Sequence, residues 1–313
     1  MLTLSFESGG TKLVAALSDE SGCLIDRAKT TRRPDQSAAE TLDELCVLGE
    51  GLAQRSATPP EVIGYGFGGP VSRQSNRPLQ SFSERGWDLV DPAEILRKRF
   101  GVSAFLENDC NAAALGEALF GAGRGRQTVF YITLGTGCGG GLIHRQRIVD
   151  FGDSGEAEFG HIVLDPQGPA CPCGSRGCLE TYCSGPAISR QALELFGDSY
   201  ADARAVLQAF LQHDECAARL VDQVAQRLGH GLGIALSLFN PDIVVIGGGV
   251  ASAGEPLLEL IRRHTLGHTF GPFRQRAPIV GSSLGEDAVC LGAAAHARLQ
   301  SRVAGRDSRE TGD

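Results

Sequence analysis

Lysine is nearly absent from this chain: Lys12, Lys29 and Lys98 are the only three among 29 basic residues in 313, and the formal net charge is −8. With no basic stripe to neutralise backbone phosphates, nucleic acid is not an expected partner. No run approaches about 18 uninterrupted apolar residues, so no membrane-spanning helix is expected. The first six residues enter a strand-like alternation at once, without a basic region followed by an apolar stretch, and no leader is expected. A glycine-lysine pair occurs nowhere, which excludes a Walker phosphate loop. A cytoplasmic protein follows from these absences. In that reducing compartment the ten cysteines should be thiols or metal ligands rather than disulfides.

What the chain has in quantity is glycine, 42 residues of it, beside a 42% hydrophobic content that can bury a large core in about two domains. The glycines cluster at Gly9-Gly10, Gly64 to Gly69, Gly135 to Gly141 and Gly247-Gly248-Gly249, each at the end of an apolar run that favours strand. Glycine there lets backbone approach a ligand closely. Alternation and turn residues predict strands over 2–6, 13–17, 23–29, 62–67 and 102–106, then a helix ending near residue 120. The strand–glycine–strand pattern returns over 130–134 and 142–149. Helices follow across 186–239, a strand over 242–246, a helix over 255–263, a strand over 278–280, and a closing helix over 287–299 before a frayed tail. An earlier helix is expected over 41–53. Two halves of similar build around a cleft are the inference.

His161, Cys171, Cys173 and Cys178 offer one imidazole and three thiolates, a full tetrahedral set for zinc with no position left for water, so the metal is expected to be structural. Glu158 and Glu180 bracket this set. Two carboxylates held so suit a polyol, since charge-assisted hydrogen bonds to hydroxyls are strong. Two glycine turns carrying Thr11 and Thr136 could wrap nucleotide phosphates with their backbone N–H groups, and Lys12 adds a cation at the first. A dinucleotide fingerprint across residues 135–140, with Glu156 as its ribose acid, is rejected because a strand rather than a helix follows the glycines. Asp109, at a strand end beside Asn108, is a candidate general base. It is equally a candidate helix N-cap, and the residues alone do not separate the two readings.

Taken together, Glu7-Ser8-Gly9-Gly10-Thr11-Lys12, the segment Glu107-Asn108-Asp109-Cys110-Asn111, Leu134 to Gly141, Glu158-Phe159-Gly160-His161 with Cys171-Pro172-Cys173-Gly174 and Gly177-Cys178-Leu179-Glu180, and Asn240-Pro241-Asp242 leading to Gly247-Gly248-Gly249 resemble the ROK family of the actin-like ATPase superfamily. The resemblance implies a two-lobed α/β, ribonuclease H-like fold with a central cleft and a structural zinc loop. Residues 1–110 plus about 293–313 would form a small lobe, and 111–292 a large one. It further implies an ATP-dependent sugar kinase with Mg²⁺, a transferase of carbohydrate metabolism. Asp109 would be the base, with Asn108, Glu158, His161, Glu180 and Gly69 at the sugar. Glu7, Gly9, Gly10, Thr11, Lys12, Gly135, Thr136, Gly137, Gly247, Gly248 and Gly249 would serve the nucleotide and its cation. His161 would serve zinc and sugar together. Trp87 would lie near the pocket wall formed by residues 68–70.

Glu7 stands where many members of that family carry aspartate, and glutamate there resembles its fructokinases. The expected acceptor is glucose at its 6-hydroxyl, with fructose next and N-acetylhexosamines, including N-acetylmannosamine, third. A sugar-sensing repressor would need a helix-turn-helix ahead of the first phosphate loop, and only six residues precede Glu7. A non-catalytic sugar binder would be expected to lack the base or a phosphate loop. A homodimer is implied by the resemblance alone.

Overall fold

The structure is a computed structural model that describes residues 1–81, 85–149, 152–153 and 157–310, without side chains for 305–310. The chain divides into two compact units, Met1–Arg124 with Gln146–Glu156 and Glu286–Asp313, and Gly125–Arg145 with Ala157–Gly285. Glu156, considered above for a ribose contact, lies outside the described residues.

In the first unit the strand Thr3–Ser8 pairs antiparallel with Lys12–Ser18 and parallel with Val62–Phe67, which pairs parallel with Ala104–Asn108. Leu24–Thr31 closes the far edge against Lys12–Ser18, and its burial alternates residue by residue as an edge strand with one wet face requires. Thr3–Ser8 and Val62–Phe67 are buried along their whole length because helices cover both faces. The Val62–Phe67 strand sorts its residues by size. Ile63, Tyr65 and Phe67 enter the core that includes Leu42, Leu45 and Leu52 of the helix Ala38–Arg55. Gly64 and Gly66 point the other way, where a Cβ would stand 2.2 Å from the Ala293 carbonyl oxygen and 2.4 Å from Val289 Cγ1 of the closing helix. These two glycines were expected to admit a ligand. They admit a helix instead, because on this face the closing helix rests directly on strand backbone. The closing helix Ala288–Glu310 runs past the expected end at 299, and Arg302, Val303 and Ala304 in that extension are exposed.

Helix Ala38–Arg55 begins earlier than its apolar periodicity suggested. Ser37 Oγ accepts from Glu40 N, and Glu40 Oε2 accepts from Ser37 N at 2.9 Å, a capping box that adds the first turn.

The second unit repeats the scheme. Thr128–Leu134 pairs antiparallel with Cys138–His144 and parallel with Ile243–Gly247, which pairs parallel with Ile279–Gly281. The strand Cys138–His144 includes Gly139, Gly140 and Gly141, which were expected in a ligand loop. A Cβ on Gly140 would stand 2.9 Å from Phe159 Cβ, so packing under the Phe159–His161 turn accounts for that glycine. Helices Gly185–Phe196, Ala203–Leu211, Glu215–Phe239 and Glu255–His268 complete the unit, the third of them closing at Asn240 in a left-handed C-cap with φ 43°.

Candidate functional site

In the first unit the turn Gly9-Gly10-Thr11 joins the antiparallel strands, with Gly9 N donating to Lys12 O at 3.0 Å and both Gly10 and Thr11 exposed. Lys12 Nζ lies 3.3 Å from Glu7 Oε1, so the cation expected to meet phosphate is held by a carboxylate. Glu7 is 6% exposed, and its Oε2 is buried without a hydrogen-bond partner among the described residues. Burial pushes its carboxyl from 4.5 to about 7, Lys12 pulling it down and Asp109 and Glu286 pushing it up. A buried carboxylate oxygen with unused capacity, held near a second acid, is chemistry that fits a divalent cation bound through water. The donor set therefore suits Mg²⁺.

Strand Ala104–Asn108 turns directly into helix Asp109–Phe120, and the cap of that helix is Asn108. Its Oδ1 accepts from Cys110 N at 2.9 Å and Asn111 N at 3.0 Å, while its Nδ2 donates to the Gly69 carbonyl at 3.1 Å. One amide hydrogen is left for a hydroxyl. Asp109 occupies the first helical position, its Oδ1 accepting from Cys110 N at 2.9 Å. A Cβ on Gly68 would come to 3.8 Å from Asp109 Oδ2, so the carboxylate lies against the Gly68-Gly69 backbone. Gly69 itself is glycine for packing, since a Cβ there would meet the Gln80 carbonyl at 2.5 Å. Trp87 is 4% exposed and packs edge-on against Phe67 at 4.7 Å, behind this segment rather than on its surface.

In the second unit the ligand atoms of His161, Cys171, Cys173 and Cys178 all lie within 4.8 Å of one another. Cys173 Sγ and Cys178 Sγ are 3.7 Å apart, and Cys171 Sγ is 3.6 Å from His161 Nδ1. With Zn–S near 2.3 Å, a tetrahedron places its sulfurs roughly 3.8 Å apart, so these spacings suit zinc. The hook is preformed by its own backbone: Cys171 N donates to Ser175 O, Gly177 N to Pro169 O, and Leu164 N to Gly177 O. Gly177, at φ 64°, has no room for a side chain, because a Cβ would overlap the Asp165 carbonyl oxygen at 1.6 Å. A hydrogen bond from the Ser175 amide holds the Cys173 thiol down at about 7.

His161 turns Nδ1 toward the thiols and Nε2 toward Glu158 Oε2, 3.8 Å away, with the Glu158 side chain 53% exposed. Glu180 opens the short helix Glu180–Cys183, and its Oε2 accepts from Cys138 N at 2.9 Å. A sugar carboxylate in sequence terms, it is also bonded to the second glycine turn. That turn is closed by Gly135 N donating to Gly137 O, and its Gly135 carbonyl receives Gly185 N, while Thr136 stays exposed.

The glycines assigned to a nucleotide differ in what they face. Gly247 lacks a side chain because Tyr131 Oη would be 2.3 Å from it, and Gly248 because the Leu134 backbone would be 2.4 Å away. A Cβ on Gly135 or Gly249 would meet nothing within 4 Å, so open space rather than protein lies beside them. Sequence reasoning quoted Glu107 only as part of the Glu107–Asn111 segment, without a role, and missed Arg73 and His296; the three converge behind Asn108. No local pattern links them.

The ROK family model matches residues 3–300. The glucokinase of Thermotoga maritima is 33% identical over 304 residues, covering 93% of this chain and 95% of that one. The glucokinase of Streptomyces coelicolor is 35% identical over 318 residues, covering 95% and 98%. Among solved structures, a ROK family glucokinase from Streptomyces griseus in complex with glucose and AMPPNP superposes with a TM-score of 0.84 at 33% identity, covering 96% of this chain and 100% of that one.

Proposed function

The chain belongs to the ROK family, with the mixed α/β actin-like ATPase fold, and from that premise we propose that it transfers a phosphoryl group from ATP to the 6-hydroxyl of glucose. Sugar phosphorylation by ATP is supported by the glucokinase relatives at 33% and 35% identity. The observation that carries the mechanism is the capping of helix Asp109–Phe120 by Asn108, which relieves Asp109 of that structural duty.

Phosphoryl transfer needs positioning, charge neutralisation and a base for the attacking hydroxyl. Asp109 takes the hydroxyl proton, and the remaining amide hydrogen of Asn108 orients the same end of the sugar. Glu158, His161 and Glu180 accept from or donate to the other hydroxyls. The backbone N–H groups of Gly9 to Lys12 and Gly135 to Gly137 hold phosphate, and Gly249 leaves room for the adenosine. Glu7 would hold Mg²⁺, which when bound would supply neutralisation of negative charge at the phosphates. Zinc bound by His161, Cys171, Cys173 and Cys178 would be structural, since four protein ligands make a full tetrahedral set.

Glucose is favoured over fructose by the relatives, although Glu7 in place of aspartate leaves fructose as the second choice. Coupled turnover with ATP against glucose, fructose, mannose, N-acetylglucosamine and N-acetylmannosamine tests this. The highest kcat/KM is expected for glucose, with 6-phosphate as product. Absence of turnover with every sugar, despite measurable sugar binding, would assign the chain to a sensing rather than an enzymatic role.

A further inference from the structure

Immediately behind the proposed base lies a carboxylate with no exposure at all. Glu107 is 0% exposed, and its hydrogen bonds lead either to the start of helix Asp109–Phe120 or to the segment after Gly69. Its Oε1 accepts from Asn108 N at 3.0 Å and from Asn111 Nδ2 at 3.2 Å. Arg73 forks onto both oxygens, Nε to Oε2 at 3.1 Å and NH2 to Oε1 at 3.3 Å. His296 of the closing helix brings Nδ1 to 3.6 Å from Oε2. Burial pushes that imidazole down, so it stays neutral and leaves Arg73 as the balancing cation. Arg73 is fixed in turn: its backbone N–H donates to Asp153 O at 3.0 Å, while Ser72 Oγ and Gln74 N donate to the Asp153 carboxylate at 2.8 and 2.9 Å.

We propose that Glu107 and Arg73 are a positioning pair for Asp109, holding the first turn of its helix in register with the Gly69–Arg73 segment. The inference rests on the reading of Asp109 as base. A buried ion pair is poor value as a stabiliser, since apolar residues of the same volume often do as well. What this one supplies is geometry. A bidentate fork fixes distance and angle together, and Asn108 links the same two segments through its bond to Gly69 O. Displacement of a reacting group by about 1 Å can cost on the order of 10²-fold in rate, so a device that locks this turn has a direct outlet in turnover.

A double-mutant cycle on kcat distinguishes positioning from mere structure, using Glu107→Gln and Asp109→Asn at saturating ATP and glucose. Glu107→Gln is expected to lower kcat at least ~10-fold in the wild-type background, with less than ~2-fold further loss once Asp109 is already Asn. Arg73→Lys, which keeps the charge and loses the fork, should fall between wild type and Glu107→Gln with its melting temperature nearly unchanged. If Glu107→Gln does not fold, Arg73→Lys takes its place in the cycle. Equal fold-losses in both backgrounds would overturn the pairing while a slow Asp109→Asn left the base assignment standing. Near-normal turnover of Asp109→Asn itself would overturn both.

Discussion

Asn108 is the N-cap of the Asp109–Phe120 helix, accepting from Cys110 N and Asn111 N, while Asp109 at the first helical position accepts only from Cys110 N, so the cap role falls to Asn108. The cap explains one acid-amide pair as two jobs. Glu7 offers a second test at the same scale. Its carboxyl sits at about 7 rather than 4.5, chiefly through burial, so the folded chain favours its protonated form. Stability from this group is complete below about pH 4.5 and is lost as pH rises through about 7, a change of roughly 3 kcal/mol in the metal-free protein. Glu7→Gln should therefore flatten the fall in melting temperature between pH 5 and pH 8. Parallel profiles for the two proteins would contradict the account of Glu7. Which residue caps, and which carboxylate is buried, depends on contacts such as Asn108 with Gly69, 39 positions away, and local sequence carries no trace of them.

At the scale of elements, strand Val62–Phe67 and the helix end at Phe120 were legible from apolar pattern and glycine boundaries, and the structure matches them residue for residue. The meaning of the glycines was not. A cluster at a strand end looks the same whether it admits a ligand or a helix, because the difference lies in which distant element covers the open face. Gly64→Ala should destabilise the protein by about 2–4 kcal/mol, since the new methyl meets fixed backbone of the closing helix. Gly249→Ala faces open space and should leave the melting temperature within about 2 °C while raising the KM for ATP several-fold. Equal thermal effects for the two substitutions would remove the distinction. The Ser37–Glu40 capping box has the Ser-x-x-Glu form, which the helix expected over 41–53 left out of account, and it places the helix start where apolar periodicity alone did not.

For the molecule as a whole, the cysteine-histidine hook carries the largest prediction. Metal binding energy at a structural zinc site is also folding energy, so chelation of the purified protein, or Cys173→Ser, should lower the melting temperature by several degrees and weaken sugar binding more than ATP binding. Elemental analysis finding no zinc in protein purified without chelator would contradict this. The grouping of His161, Cys171, Cys173 and Cys178 was legible, because the four lie within one short stretch of chain. The pairing of Glu107 with Arg73 and His296 stayed hidden, because Arg73 lies 34 positions from Glu107 and His296 comes from the closing helix. The account's central claim is that Asp109 removes the proton from the attacking hydroxyl, and turnover of Asp109→Asn measured beside its glucose dissociation constant tests it most directly. The account predicts kcat lowered at least ~10²-fold with glucose affinity within a few-fold of wild type. Turnover near wild type with affinity unchanged would contradict it.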